Sequence, residues 1–88
     1  MTPRLLSRLR GRPQHDSAAI DQLSARELEV LRLMATGATN GEIAATLYLA
    51  ERTVKSHVGS IFTKLGARDR TAAILLAYRS GVIDPRGT

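Results

Sequence analysis

The sequence predicts an all-α fold of four short helices, and three observations carry that prediction. Apolar residues recur at helical spacing in four runs, with no alternating strand pattern and no internal repeat in the 88 residues. Two S/T-x-x-E capping boxes, Ser24 with Glu27 and Thr39 with Glu42, stand directly before the first two runs. Gly37, Gly66 and Gly81 then close the first, third and fourth runs.

The first helix begins after Ser24, whose hydroxyl and the Glu27 carboxylate satisfy two backbone donors that a helix start leaves open. Its buried stripe is expected to be Leu28, Leu31 and Ala35, with Val30 and Met34 beside them, and Gly37 suits a left-handed stop. The second helix runs from Thr39 through Ile43, Ala44 and Leu47. At about two turns it is marginal alone and must be held by its neighbours. The tripeptide "YLA" separates it from a third helix, "ERTVKSHVGSIFTKLG", in which Val54, Val58, Ile61, Phe62 and Leu65 form an apolar stripe. Asp69 caps a fourth helix through "RTAAILLAYRS" to Gly81, with Ala73, Ile74, Ala77 and Val82 toward the core. The domain therefore spans 23–83, followed by a tail over 84–88. Residues 1–22 hold Arg4, Arg8, Arg10, Arg12, Pro13 and the polar passage "QHDSAAIDQ", and read as a tail or linker, with one option a short helix over 3–10.

Composition narrows the function classes. With 43% hydrophobic residues the chain fills one modest core and leaves little for an enzyme cleft. No nucleophile, base and orienting group converge on these helices, so no catalytic residue is assigned. The absence of cysteine fits a reducing cytoplasm and removes thiolate metal sites. His57 has no second ligand at metal spacing, so neither a metal nor a cofactor is expected. No apolar run approaches the roughly 20 residues of a membrane span, no signal peptide opens the chain, and Leu5, Leu6 and Leu9 are too few to anchor "RLLSRLR" on a bilayer. A net charge of +5 and a pI of 10.8 fit a polyanionic partner. Aromatic residues at 3% argue against base-stacking platforms for single strands.

Two helices joined by a three-residue turn, the second longer and bearing a smooth polar face, form a helix-turn-helix over about 38–57. Ala44 is small where these helices cross, above Leu49, Val54 and Val58. At about 100° per residue, Arg52, Ser56, Gly59, Ser60 and Thr63 lie opposite the apolar stripe. Lys55 lies on one shoulder, Thr53 and Lys64 lie on the other, and His57 sits at the rim of the stripe. A solvated face ordinarily carries long Glu and Lys side chains, whereas this one is trimmed, as suits backbone approaching base edges in a major groove about 12 Å wide. Arg52 and Lys55 can reach guanine O6 and N7 or phosphate, Ser56 can meet a base, and Thr53 and Lys64 are placed for the DNA backbone. Lys55, Lys64, Arg68 and Arg70 supply the charge for salt-dependent capture of phosphates.

Four motifs in order, L-S-x-R-E-x-E-V-L from Leu23, T-N-x-E-I-A from Thr39, T-V-K-x-H-V from Thr53 and K-L-G-x-x-x-R from Lys64, closely resemble the LuxR-type (GerE-like) helix-turn-helix domain of NarL/FixJ response regulators. The resemblance covers Leu23 to Ile83. It implies a tetrahelical domain that binds duplex DNA as a dimer at promoter inverted repeats. It also implies that Lys55, Ser56 and Gly59 face bases, while Thr39, Asn40, Thr53, Lys64 and Arg70 meet phosphates. Three departures stand out: Ala50 replaces a frequent capping serine, Tyr48 occupies a turn where left-handed backbone is common, and Gly59 lacks a side chain for base readout.

On the fourth helix, Ala72, Leu75, Leu76 and Arg79 make a second stripe facing away from the core, and an apolar stripe with no core left to face suggests an interface. The resemblance implies the same, since family dimers pair through this last helix. It further implies that "TPRLLSRLRGRP" is the linker after an upstream receiver domain, although a small stand-alone regulator is also compatible. A sigma-factor region-four-like module, acting through RNA polymerase as well as promoter DNA, shares the R-E-x-E-V-L and T-V-K patterns. The K-L-G-x-x-x-R stretch and the whole helix after it favour the LuxR-type domain. A protein-interaction bundle that never touches DNA is the third class, and it predicts no salt-dependent DNA affinity.

Overall fold

The computed structural model describes residues 14–83, and their regular structure is entirely helical, with five helices and no strand among the described residues. These are α1 (Gln14–Asp21), α2 (Ala25–Ala35), α3 (Asn40–Leu47), α4 (Glu51–Leu65) and α5 (Arg70–Ser80). Both capping boxes form. The Ser24 hydroxyl accepts from the Glu27 N–H at 3.1 Å, and the Ser24 N–H donates to Glu27 Oε1 at 2.9 Å. Thr39 and Glu42 repeat the pattern at 3.1 and 2.8 Å. Asp69 caps α5 by accepting the Ala72 N–H at 2.9 Å. α4 starts at Ala50 with no side-chain cap, as its sequence requires.

The all-helical expectation holds, but the helix count rises by one. Gln14–Asp21, read as part of a polar linker, forms α1, which packs against α4 and α5 and places Ile20 in the core. Ile20 is the one large aliphatic residue of "QHDSAAID", too few for a periodic stripe, so tertiary contact rather than local pattern accounts for its burial. The helix weighed over 3–10 and the tail over 84–88 lie outside the described residues.

The core lies where α2, α3 and α5 close around α4. Val30, Leu31, Met34, Ile43, Val54, Ile61, Ala73 and Ala77 have no measurable exposure. The α2 stripe is therefore centred on Val30, Leu31 and Met34, with Leu28 and Ala35 half-buried at its margin, slightly rotated from the expected Leu28–Leu31–Ala35 line. On α5 the inward side is Ala73, Ala77 and Ser80, while Ile74 and Val82 are half-buried and Ile83 completes the core. Ala44 is buried at the α3–α4 crossing, as close helix packing demands.

The turn between α3 and α4 is Tyr48, Leu49 and Ala50. Tyr48 takes φ 59° and ψ 46°, the only non-glycine with positive φ among the described residues, and its side chain is 94% exposed. A left-handed non-glycine residue costs about 1 to 2 kcal/mol. The conformation is held from both sides: the Tyr48 and Leu49 N–H groups both donate to the Ala44 carbonyl, and Leu49 packs on the core.

Candidate nucleic-acid interface

α4 is anchored by Val54, Val58, Ile61 and Leu65, which turns the opposite side of the helix to solvent. Arg52, Lys55, Ser56, Gly59 and Thr63 are all exposed there, a trimmed face between long basic side chains. A Cβ added at Gly59 meets nothing within 4 Å. No internal packing therefore requires glycine at that position.

Ser60 departs from the expected face. Its hydroxyl donates to Glu27 Oε2 at 2.6 Å, so it points toward α2. Lys64, one turn further along, donates to Glu27 Oε1 at 2.8 Å. Glu27 is 6% exposed and accepts from Lys64, Ser60 and the Ser24 backbone together. The Lys64 ammonium first, then the Ser60 hydroxyl, holds its carboxyl at about 2, against an ordinary 4.5, and these outweigh the upward push of burial. One carboxylate thus caps α2 and fixes the C-terminal half of α4. The capping role of Glu27 is readable from local spacing, but this second role is not. Its signal is the pair of donors at i and i+4, Ser60 and Lys64, on the shoulder of α4 that faces α2.

Of the other expected phosphate contacts, Thr39 and Asn40 open α3, and Arg70 reaches Asn40 from α5. Thr39 and Gly41 are exposed and Asn40 is half-buried. Arg70, at the first position of α5, is half-buried and donates to Asn40 Oδ1 at 3.2 Å and to the Ala38 carbonyl. Two residues expected to meet phosphate separately are thus bonded to each other. Thr53 is half-buried on the α4 shoulder, and Arg68 is exposed in the loop before α5. Glu51 leans over the same end of α3: a Cβ on Gly41 would stand 3.6 Å from Glu51 Oε1 and 3.9 Å from Thr39 Oγ1. A carboxylate there complements the positive end of α3. Among the described residues no three His, Cys, Asp or Glu side chains gather as a metal site, and no helix is long and apolar enough to cross a membrane.

The family model for bacterial regulatory proteins of the luxR family, GerE, matches residues 21–77, which takes in α2, α3, α4 and most of α5. The chain belongs to the luxR family. It carries that family's DNA-binding helix-turn-helix, a transcription-regulating and non-enzymatic kind of domain. Among curated relatives, the response regulator protein VraR of Staphylococcus aureus is 37% identical over 81 residues, covering 92% of this chain and 39% of that protein. VraR of Staphylococcus epidermidis matches with the same identity and coverage. The luxR-family chain thus spans about two-fifths of the length of these relatives.

The far side of α5 differs in detail from its expected stripe. Leu75 is 54% exposed, and Tyr78, one turn along and not anticipated, is 38% exposed. Ala72 is half-buried, Leu76 is half-buried against the core, and Arg79 is exposed. The apolar outward surface is therefore centred on Leu75 and Tyr78, with Ala72 and Leu76 at its inner margin.

Proposed function

We propose that this domain reads duplex DNA by laying α4 in the major groove. Lys55, Ser56 and Arg52 face base edges, and Gly59 marks the point where backbone comes closest to the bases. Thr39, Asn40, Thr53 and Arg68 line the phosphate backbone, with Lys64 and Arg70 at its edge from braced positions. The observation that carries this reading is the exposed, trimmed face of Arg52, Lys55, Ser56 and Gly59 on the second helix of a helix-turn-helix, with open space where a Gly59 side chain would stand.

Two copies pair through α5 around Leu75, and the pair places two recognition helices in successive major grooves of an inverted repeat near a promoter. The response-regulator relatives, of which this chain spans only part, support a place as the output domain of a response regulator. In this reading the domain lies below a receiver, acts in the cytoplasm and contacts RNA polymerase at the promoter. The test is binding of the purified chain to a duplex across a salt series, followed by selection of bound fragments from genomic DNA. Affinity that falls steeply with salt, together with a recovered inverted repeat, is expected. No duplex affinity even at low salt contradicts the proposal and leaves a protein-interaction bundle.

A further inference from the structure

Arg70 lies at the edge of the surface that carries Thr39 and Asn40, yet its donors turn inward. One terminal nitrogen donates to Asn40 Oδ1 at 3.2 Å and the other to the Ala38 carbonyl, 30 and 32 positions back in the chain. Both acceptors are uncharged oxygens on the segment that opens α3, so neither cancels the guanidinium charge. An asparagine carboxamide has an accepting end and a donating end, and its neighbours decide which way each points. With Oδ1 taken by Arg70, Nδ2 is the end directed away from the guanidinium. A phosphate oxygen only accepts, so it can be met by Nδ2 and not by Oδ1. The second Arg70 bond satisfies the Ala38 carbonyl, on the residue just before the Thr39 cap, and so gives the guanidinium a second fixed point on the segment that opens α3.

We propose that Arg70 is a positioning residue that acts through Asn40: it locks the carboxamide with its amino group outward as a phosphate donor, and so ties the start of α5 to the DNA-facing end of α3. The inference rests on the DNA-binding reading above and adds how that surface is prepared. A lysine at position 70 keeps the charge but, as a compact point donor, cannot reproduce the planar two-pronged grip.

The test compares the unmodified chain, Arg70→Lys, Asn40→Ala and the double variant on one duplex at one salt concentration, with the thermal midpoint of each recorded alongside. Arg70→Lys is expected to weaken binding roughly three- to tenfold when Asn40 is present and by less than about twofold in the Asn40→Ala background. Equal losses in the two backgrounds overturn the inference, because Arg70 then acts without Asn40, and no loss in either overturns it because Arg70 then plays no part in binding. Asn40→Asp separates folding from binding. It offers Arg70 a stronger partner while removing the outward donor, so the thermal midpoint is expected to hold while duplex affinity falls about tenfold or more. Undiminished binding by Asn40→Asp overturns the inference as well. If the unmodified chain itself shows no salt-dependent duplex affinity, the DNA-binding reading has failed and the inference falls with it.

Discussion

Glu27 serves two helices with one side chain, capping α2 through Ser24 and gripping α4 through Ser60 and Lys64. Because its folded carboxyl sits at about 2 against an ordinary 4.5, its contribution to stability is complete above about pH 4.5 and is lost as pH falls toward 2. Glu27→Gln is expected to lower stability near neutral pH by about 1.5 to 3 kcal/mol, the range for hydrogen bonds to a charged group. The acid limb of the stability profile between those two values should flatten in the variant. Chemical denaturation across a pH series measures both; an acid limb as steep as in the unmodified chain would place the effect elsewhere. Gly59 makes the opposite case. Its Cβ position is open, so Gly59→Ala is expected to raise stability by roughly 1 kcal/mol through helix propensity alone. Duplex affinity should nonetheless fall if the backbone approaches the bases there, and a more stable variant with unchanged affinity would remove Gly59 from the contact surface.

At the scale of elements, α2, α3 and α5 announce their own starts, because capping depends on residues three positions apart and local spacing displays it. α4 is the exception: its Ala50 cap position has extended backbone at φ −71° and ψ 147° but no side-chain acceptor. Ala50→Ser is expected to stabilise the domain by about 1 kcal/mol, read as a higher denaturation midpoint, whereas an unchanged midpoint would mean the N-terminus of α4 is already satisfied by other groups. What local spacing could not display were links across the fold. Ser60 and Lys64 reach Glu27 across 33 and 37 residues, and Arg70 reaches Asn40 across 30. Position on a helical wheel placed Ser60 among groove residues, since a wheel has no neighbouring helix in it. α1 escapes the pattern for a related reason, because a segment whose one large aliphatic residue is Ile20 leaves almost no period to detect.

For the whole molecule, Leu75 and Tyr78 are exposed on α5 and Arg52, Lys55, Ser56 and Gly59 are exposed on α4, and the proposed function gives these two surfaces separate tasks, pairing and reading. Leu75→Arg is expected to leave the fold intact, shift sedimentation toward a monomer and weaken binding to an inverted repeat while sparing a single half-site. Unchanged dimer-dependent binding would rule out pairing around Leu75. Much of this exposure was legible in sequence, from Arg52, Lys55, Ser56, Gly59 and Thr63 on α4 to the outward Leu75 on the last helix. The bracing of Lys64 and Arg70 was not, because charge and position along a helix do not reveal which acceptors the fold supplies. The proposed function turns on base reading by α4. Its most direct test is the ratio of affinities for a selected site and a random duplex, measured at fixed salt for the unmodified chain and Lys55→Ala. The specific site is expected to lose about 1 to 3 kcal/mol while the random duplex loses much less, so the ratio collapses. Equal loss on both duplexes would contradict base reading by Lys55 and return it to the phosphate backbone.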